Sequence, residues 1–220
     1  MCKGFGILRY TSGEVYEGEL CNEQRNGEGV MTYGPGNGNR YVGSWLNSKK
    51  HGTGTFYFEN GDIFEGEWSD GKMHGIGRYL FLSGDYFYGS YTRGKKDYGE
   101  YMFDEGTHYN GNWRNELFDG KGSMSYSNNE QYCGSWLLGM RHGRDALYNW
   151  PSGSQFQGTF EHDQMHKGLY RSAYDMGEFL GTFVDGRRCG LGLANLKDGS
   201  EYYGSFHNDQ MSGIGIYKFL

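Results

Sequence analysis

Residues 58–81 read FENGDIFEGEWSDGKMHGIGRYLF. Glycine is too frequent here for a helix or an ordinary strand, where each one costs about 0.5–1 kcal/mol relative to alanine. Aromatics, charges and glycines nevertheless alternate too regularly for a loop. In Phe64-Glu65-Gly66-Glu67-Trp68 the aromatics and the glycine share one face of an extended chain, and both glutamates share the other. In Gly75-Ile76-Gly77-Arg78-Tyr79 the glycines and Tyr79 again fall together. The stretch reads as two strands joined by a loop, Ser69 to His74, that contains Asp-Gly. Asn60-Gly61 and Ser83-Gly84 mark tight turns on either side.

The hairpin recurs along the chain. A glycine two residues after an aromatic or β-type residue stands at Gly18, Gly43, Gly66, Gly89, Gly111, Gly134, Gly158, Gly181 and Gly204, at intervals of 25, 23, 23, 22, 23, 24, 23 and 23. Glycine pairs follow nine and eleven residues later, as at Gly52/Gly54 and Gly75/Gly77, and further columns lie five residues before and five after. Including irregular members, these columns hold 37 of the 40 glycines; Gly34, Gly36 and Gly177 fall outside. A period of this size marks a stacked array. Residues 1–220 are read as one array: a half-repeat over 1–15, then repeats starting near 16, 41, 64, 87, 109, 132, 156, 179 and 202. The expected fold is all-β, an elongated single-layer antiparallel sheet of about nine hairpins in a twisted rod or gutter. Helix content near zero is expected. Bare backbone at Gly66 and Gly77 lets a neighbouring strand's aromatic ring lie across it, so an aromatic–glycine face replaces a central core.

Composition agrees. The 220 residues carry a formal net charge of −6 with 22% charged residues, and 18% aromatic content argues against disorder. Two prolines among 40 glycines rule out collagen. No apolar run approaches 18 residues and Met1-Cys2-Lys3-Gly4 opens no signal peptide, which points to a soluble, cytoplasmic chain. Cys2, Cys21, Cys133 and Cys189 form no CxxC pair and are expected to be reduced thiols.

The pattern Tyr/Phe-x-Gly-x-Trp/Phe, a loop, His-Gly-x-Gly-x-Tyr/Phe, then Asn/Asp-Gly closely resembles the MORN repeat (membrane occupation and recognition nexus). Tyr41 to Leu82 holds two near-ideal copies. The resemblance implies β-hairpin arrays that act as scaffolds, with proposed roles in membrane attachment, dimerisation and peptide binding. It also implies a place in ciliary and cytoskeletal structures such as radial-spoke heads, or beside catalytic domains. Departures are visible. Leu20 replaces an aromatic, an insertion around Pro35 precedes Asn37-Gly38, and repeat four is one residue short, with Gly99 unpartnered at Asp97. Asp145 stands for the second glycine of repeat six, His166-Lys167-Gly168 replaces His-Gly-x-Gly in repeat seven, and Met176 replaces the turn glycine of repeat eight. Repeats six and seven are thus where a bend, a bulge or a changed groove is expected, unless the departures are neutral drift.

Chemistry is sparse. GxG recurs in nearly every repeat, so it is no dinucleotide fingerprint, and Gly120-Lys121-Gly122-Ser123 lacks the Walker spacing. His51, His74, His142 and His166 form a column, but equivalent residues two strands apart are separated by about 9–10 Å, too far to share one zinc ion. Repeats place equivalent groups in rows rather than pockets. No catalytic, cofactor or metal site is expected, and the chain is not read as an enzyme.

Partner surfaces are the better candidates. Arg25, Lys49, Lys50, Lys72, Arg93, Lys95, Lys96, Arg141, Arg187 and Arg188 collect in one set of loops, and Glu14, Asp62, Asp85, Glu105, Glu130 and Asp198 in the opposite turns. One edge should be positive and the other negative. Arg93, Lys95 and Lys96 are the densest basic group and the candidate anionic-lipid contact, short of the 4–8 clustered charges a lipid surface needs. An acidic chain lacks the basic stripe that nucleic acid requires. Tyr41, Trp45, Phe56, Phe64, Trp68, Tyr79, Phe87, Tyr91, Tyr109, Trp113, Tyr132 and Trp136 should line an aromatic groove for a partner's extended peptide or apolar helix, or serve only as packing on glycine. The opposite face turns from Glu17, Glu19, Glu65 and Glu67 to Leu180, Leu191, Leu193, Tyr203, Ile214 and Ile216, a candidate C-terminal docking face for another chain or a second copy. Unblunted strands at Gly4-Phe5-Gly6 and Gly215 to Phe219 add end-to-end association. The reading is a non-enzymatic protein-binding scaffold, plausibly in a ciliary or cytoskeletal assembly. Its alternatives are a peripheral membrane tether and an accessory module for an enzyme on another chain.

Overall fold

The computed structural model describes residues 3–34, 36, 38–174 and 177–220, with the side chain of Lys3 left aside. The insertion around Pro35 and Asn37, and Met176, lie outside the described residues. Among the described residues every regular element is a strand. A first unit holds β1 (Lys3–Arg9), β2 (Val15–Cys21), β3 (Gln24–Thr32), β4 (Arg40–Leu46), β5 (Lys49–Tyr57), β6 (Ile63–Ser69), β7 (Lys72–Leu80), β8 (Tyr86–Thr92), β9 (Lys95–Met102) and the end of β10 (His108–Arg114). A second unit holds Gly106–Asn112 of β10, then β11 (Leu117–Ser125), β12 (Gln131–Leu137), β13 (Met140–Asn149), β14 (Gln155–Glu161), β15 (Gln164–Arg171), β16 (Glu178–Val184), β17 (Arg187–Asn195), β18 (Glu201–His207) and β19 (Gln210–Lys218). Within each unit strands pair antiparallel in chain order, as a single open layer of hairpins.

The turns divide differently from the loop expected at Ser69 to His74. β6 and β7 are joined by Asp70-Gly71 alone, at φ of 50° and 79°. Two positive-φ residues define the turn whose twist matches the strands it joins. Lys72 to His74 already belong to β7. The register then slips: Gly66 faces Gly77, but Trp68 faces Met73, so His74, Gly75 and Ile76 bulge. Glu67 stabilises the bulge by accepting the Ile76 N–H at 3.0 Å. Between hairpins the turn is longer: the Phe81 N–H bonds the Asp85 carbonyl at 3.0 Å.

The bulge accounts for the departures. In repeats four and seven two residues, Asp97-Tyr98 and His166-Lys167, stand where three bulge in β7. Repeat six is longer rather than substituted. Asp145 is an extra bulge residue at φ 61°, and Ala146, fully buried, takes the glycine's seat opposite Gly134.

Rings cover the glycines, though from within the hairpin. Phe64 folds along its own strand over Gly66 and reaches across to Gly77. A methyl group at Gly66 would stand 2.5 Å from the Gly77 Cα and 2.8 Å from Phe64. Tyr16, Tyr41, Tyr109, Tyr132 and Tyr202 lie the same way, and each hydroxyl donates to the carbonyl three residues on, at 2.7–3.2 Å. Edge-to-face contacts then link hairpin to hairpin. In the first unit the chain of rings runs Tyr16, Trp45, Tyr41, Trp68, Phe64, Tyr91, Phe87, Trp113, with centroids 5.1–5.6 Å apart. In the second it runs Tyr109, Trp136, Tyr132, Phe160, Phe156, Phe183, Phe179, Phe206, Tyr202, at 4.8–5.5 Å. The indoles of Trp45, Trp68 and Trp136 each donate to a glycine carbonyl of the preceding hairpin, at 3.0–3.3 Å. Tyr91 takes the tryptophan's seat in repeat four and leaves its buried hydroxyl without a partner.

Three of the six acids expected on the negative edge clamp successive hairpins together. Asp62, 8% exposed, accepts the Leu82 N–H at 2.8 Å and the Tyr79 hydroxyl at 2.9 Å. Asp85 repeats this with Asp104 and Tyr101, and Glu130 accepts from Tyr148. Burial pushes the Asp62 carboxyl up, but hydrogen bonds from Leu82, Asn60 and Tyr79 outweigh it and hold the group below the usual carboxylate range. A depressed carboxyl stabilises the fold above the unfolded-state value and loses that contribution as pH falls through its own. Asp62→Ala is expected to cost about 1–3 kcal/mol at pH 7. In urea titrations the gap between wild type and variant should close as pH drops below about 4.

Candidate functional site: an aromatic face with a column of cations

Eleven of the twelve rings expected to line a groove belong to the core. All but Tyr79 are under 9% exposed, Tyr41, Phe64, Phe87 and Tyr109 completely so, and Tyr79 is half-buried. Edge-to-face packing takes up the surface that a partner would have touched. A second, partly exposed aromatic row runs beside them, offset toward the longer turns. In the first unit this row is Tyr33, Phe56, Phe58, Tyr79, Phe81, Tyr101, Phe103, with centroids 4.5–5.8 Å apart. All but Phe56 are half-buried. In the second unit Tyr126, Trp150 and Tyr170 occupy the same place. Trp150, Tyr170 and Phe183, with Met165, Gly186 and the Arg188–Asp209 pair, line a cavity of about 480 Å³. The readable signal was the aromatic two residues beyond each strand's last ring, as in Phe56/Phe58 and Tyr79/Phe81.

Five cations turn onto this face, so the positive edge loses half its members. Seven residues after each anchoring glycine stand Arg25, Lys50, Met73, Lys96, Phe118, Arg141, Met165, Arg188 and Met211. This position opens the second strand of each hairpin, directly beside the ring ladder. The Arg25 guanidinium lies 4.4 Å from the Trp45 centroid, Lys96 4.9 Å from Trp113, and Arg141 5.2 Å from both Tyr148 and Phe160. Such contacts contribute about 0.5–2 kcal/mol each. The backbone fixes what each cation meets. Its carbonyl accepts an N–H from the next hairpin's turn: Lys50 from Gly71, Arg141 from Asp163, Arg188 from Asp209. That turn residue therefore sits beside the cation. Arg141 pairs with Asp163 at 2.9 Å, Arg188 with Asp209 at 3.1 Å, and Lys96 with Glu116 at 3.1 Å. Arg25 donates to the Ser48 carbonyl at 2.6 Å.

Lys96 is thereby removed from the candidate lipid contact. Its side chain is 10% exposed and enclosed by rings, which leaves Arg93 and Lys95, the latter donating to Asn115. His51, His74 and His166 are exposed and His142 is half-buried, and among the described residues no three metal-ligating groups come together. Cys21, Cys133 and Cys189 are free thiols. The C-terminal residues do converge. Leu180 faces Leu193, Leu193 faces Tyr203, and Tyr203 faces Ile216 across β16 to β19. Leu180, Leu191, Tyr203, Ile214 and Ile216 are 50–93% exposed, and Leu193 is half-buried.

Fold and site together define a β-hairpin repeat protein built on an aromatic–glycine face. The family model for the MORN repeat matches residues 16–38, 41–63, 64–86, 109–131, 132–144, 179–201 and 202–219. The chain belongs to the MORN-repeat family. The unmatched segments hold the two hairpins with short bulges, β8–β9 and β14–β15, and the match over repeat six ends beside the extra residue Asp145. A comparison with curated proteins returned no match. Among solved structures, the chain is similar to the TCP10 domain of Danio rerio CPAP in complex with a peptide of Danio rerio STIL. There the TM-score is 0.49 and the identity 11%, over 92% of this chain and 84% of that one. It is also similar to the SAS-4 (dCPAP) TCP domain of Drosophila melanogaster in complex with a proline-rich motif of Ana2 (dSTIL). That match has a TM-score of 0.38 and 12% identity, over 90% of this chain and 88% of that one.

Lys50 stands apart in energy. Its ammonium lies 4.0 Å from the Trp68 centroid and 4.2 Å from Phe56, and burial pulls its pKa down to about 8. The folded protein then binds fewer protons than the unfolded chain between pH 8 and about 10.4, so the charge destabilises the fold below pH 8 and the penalty lifts as pH rises. Methionine occupies the same position at Met73, Met165 and Met211. Lys50→Met is expected to add about 1 kcal/mol at pH 7, the low end for replacing a buried charge, because the ammonium keeps some water and cation–π contact. In thermal melts that advantage should shrink steadily between pH 8 and 10.

Proposed function

We propose that the protein is a non-enzymatic scaffold that binds protein partners at two places. An extended partner segment lies on the half-buried aromatic row, and the outer face of β16 to β19 docks on a second protein surface or a second copy of the chain. The observation that carries the reading is the outer row Leu180–Leu193–Tyr203–Ile216, in which cross-strand apolar neighbours face solvent. Contiguous exposed apolar surface of this kind marks interaction sites. The aromatic row supports the first contact, since Phe and Tyr provide large, rigid anchors at interfaces. Membership of the MORN-repeat family supports a cytoplasmic cytoskeletal or ciliary assembly as the setting.

Two variants separate the surfaces without touching the ladder of buried rings. Phe81→Ser/Phe103→Ser removes accessible row members, and Leu193→Asp/Ile216→Asp places charge on the outer face. In affinity purification with mass spectrometry, each pair is expected to lose a distinct set of wild-type partners while melting within a few degrees of wild type. Retention of every partner by both folded variants would overturn the scaffold reading.

A further inference from the structure

Along the cation column, charge and turn residue match. Lys96, Arg141 and Arg188 meet Glu116, Asp163 and Asp209. The apolar members Met73, Phe118 and Met165 precede turns at Gly94, Gly139 and Gly186, glycines with no charge of their own, although Arg93 and Asp185 stand beside two of them. Arg25, whose turn carries Ser48, departs from this match, and so does Lys50. The turn that reaches it carries Gly71, whose N–H bonds the Lys50 carbonyl at 2.9 Å but which has no side chain. Asp70 beside it is turned away, paired with the exposed Lys49 at 2.9 Å. Among the described residues no carboxylate pairs with Lys50. Its ammonium is held by rings alone: Trp68 at 4.0 Å, Phe56 at 4.2 Å and Tyr41 at 5.5 Å.

A ring-enclosed charge without a carboxylate partner, at a position where three other hairpins place methionine, is a departure of the kind that marks functional positions. The Lys50 ammonium lies on Phe56, and from Phe56 the rings continue through Phe58 to Tyr79 in the outer aromatic row. We infer that Lys50 is the anchor for an acidic side chain of a bound peptide. An Asp or Glu carboxylate of the partner takes the place that Glu116, Asp163 and Asp209 fill in cis, and a neighbouring apolar residue lies on Phe58 and Tyr79. This rests on the proposed binding of an extended segment to the aromatic face, and it adds the charge that the segment carries. Arg25, one repeat earlier, also lacks a carboxylate and is bound instead to the Ser48 carbonyl. It lies about 9–10 Å away, two strands along. A peptide with two acidic residues reaches both. Charge-assisted hydrogen bonds in a partly desolvated site are the strong ones.

The structure also supplies the control. A Cβ at Gly71 would meet nothing within 4 Å, and its φ of +79° is close to the 68° and 67° at which Asp163 and Asp209 already sit. Gly71→Asp should pair with Lys50 in cis and close the site. The test selects a displayed library of random 12-residue peptides on the full chain. Wild type is expected to enrich peptides with Asp or Glu beside an aromatic or aliphatic residue. Lys50→Met and Gly71→Asp should each weaken those peptides by about tenfold or more, whereas Lys49→Met should leave them unchanged. Peptides that bind wild type without acidic enrichment, or that bind Lys50→Met equally well, overturn the assignment of Lys50 and leave the aromatic-face reading standing. Failure of wild type to select any peptide removes both.

Discussion

Everything in this fold depends on two glycines lying beneath one ring. Phe64 covers Gly66 and Gly77 so closely that neither position has room for a methyl group. The same seat recurs in each hairpin, with Ala146 its one variant. A sheet with no second layer has only its own side chains for a core. By lying along the strand instead of standing up from it, each ring turns its edge or face to the ring of the next hairpin. The edge-to-face ladder follows, and with it the indole bonds to glycine carbonyls. Stability of this kind is shared between neighbours, so no hairpin is expected to hold its shape alone.

Much of this was legible in the sequence. The glycine columns gave the period, and the alternation in Phe64-Glu65-Gly66-Glu67-Trp68 gave the strands and the buried face. What alternation does not give is how completely that face is covered. Trp68 and Phe64 therefore read equally well as groove lining and as core. The accessible row was missed because Phe58 and Phe81 lie just beyond strand ends, where a period of two no longer applies. The cations were missed for a related reason. Taking Ser69 to His74 as a loop placed Lys72 and its counterparts on a solvated edge, whereas a two-residue turn puts Lys50 and Lys96 at the start of a strand, beside the rings. Asp145 shows the limit of column counting. One inserted residue moved the small side chain to Ala146, and only the cross-strand register reveals it.

The two faces divide the work. Rings and acids such as Asp62 hold hairpin to hairpin, and neither is available to a partner. The surfaces left partly open are the second aromatic row and the outer strip of β16 to β19.

The central claim is tested most directly by a double-mutant cycle between Phe64 and Gly77, measured by urea denaturation. Gly77→Ala alone should cost about 1–3 kcal/mol through overpacking. Phe64→Leu, which shortens the ring that fills the seat, should make that alanine markedly less costly, with a coupling of about 0.5 kcal/mol or more. Costs that simply add would contradict the account, since the glycines would then owe their place to something other than the ring above them.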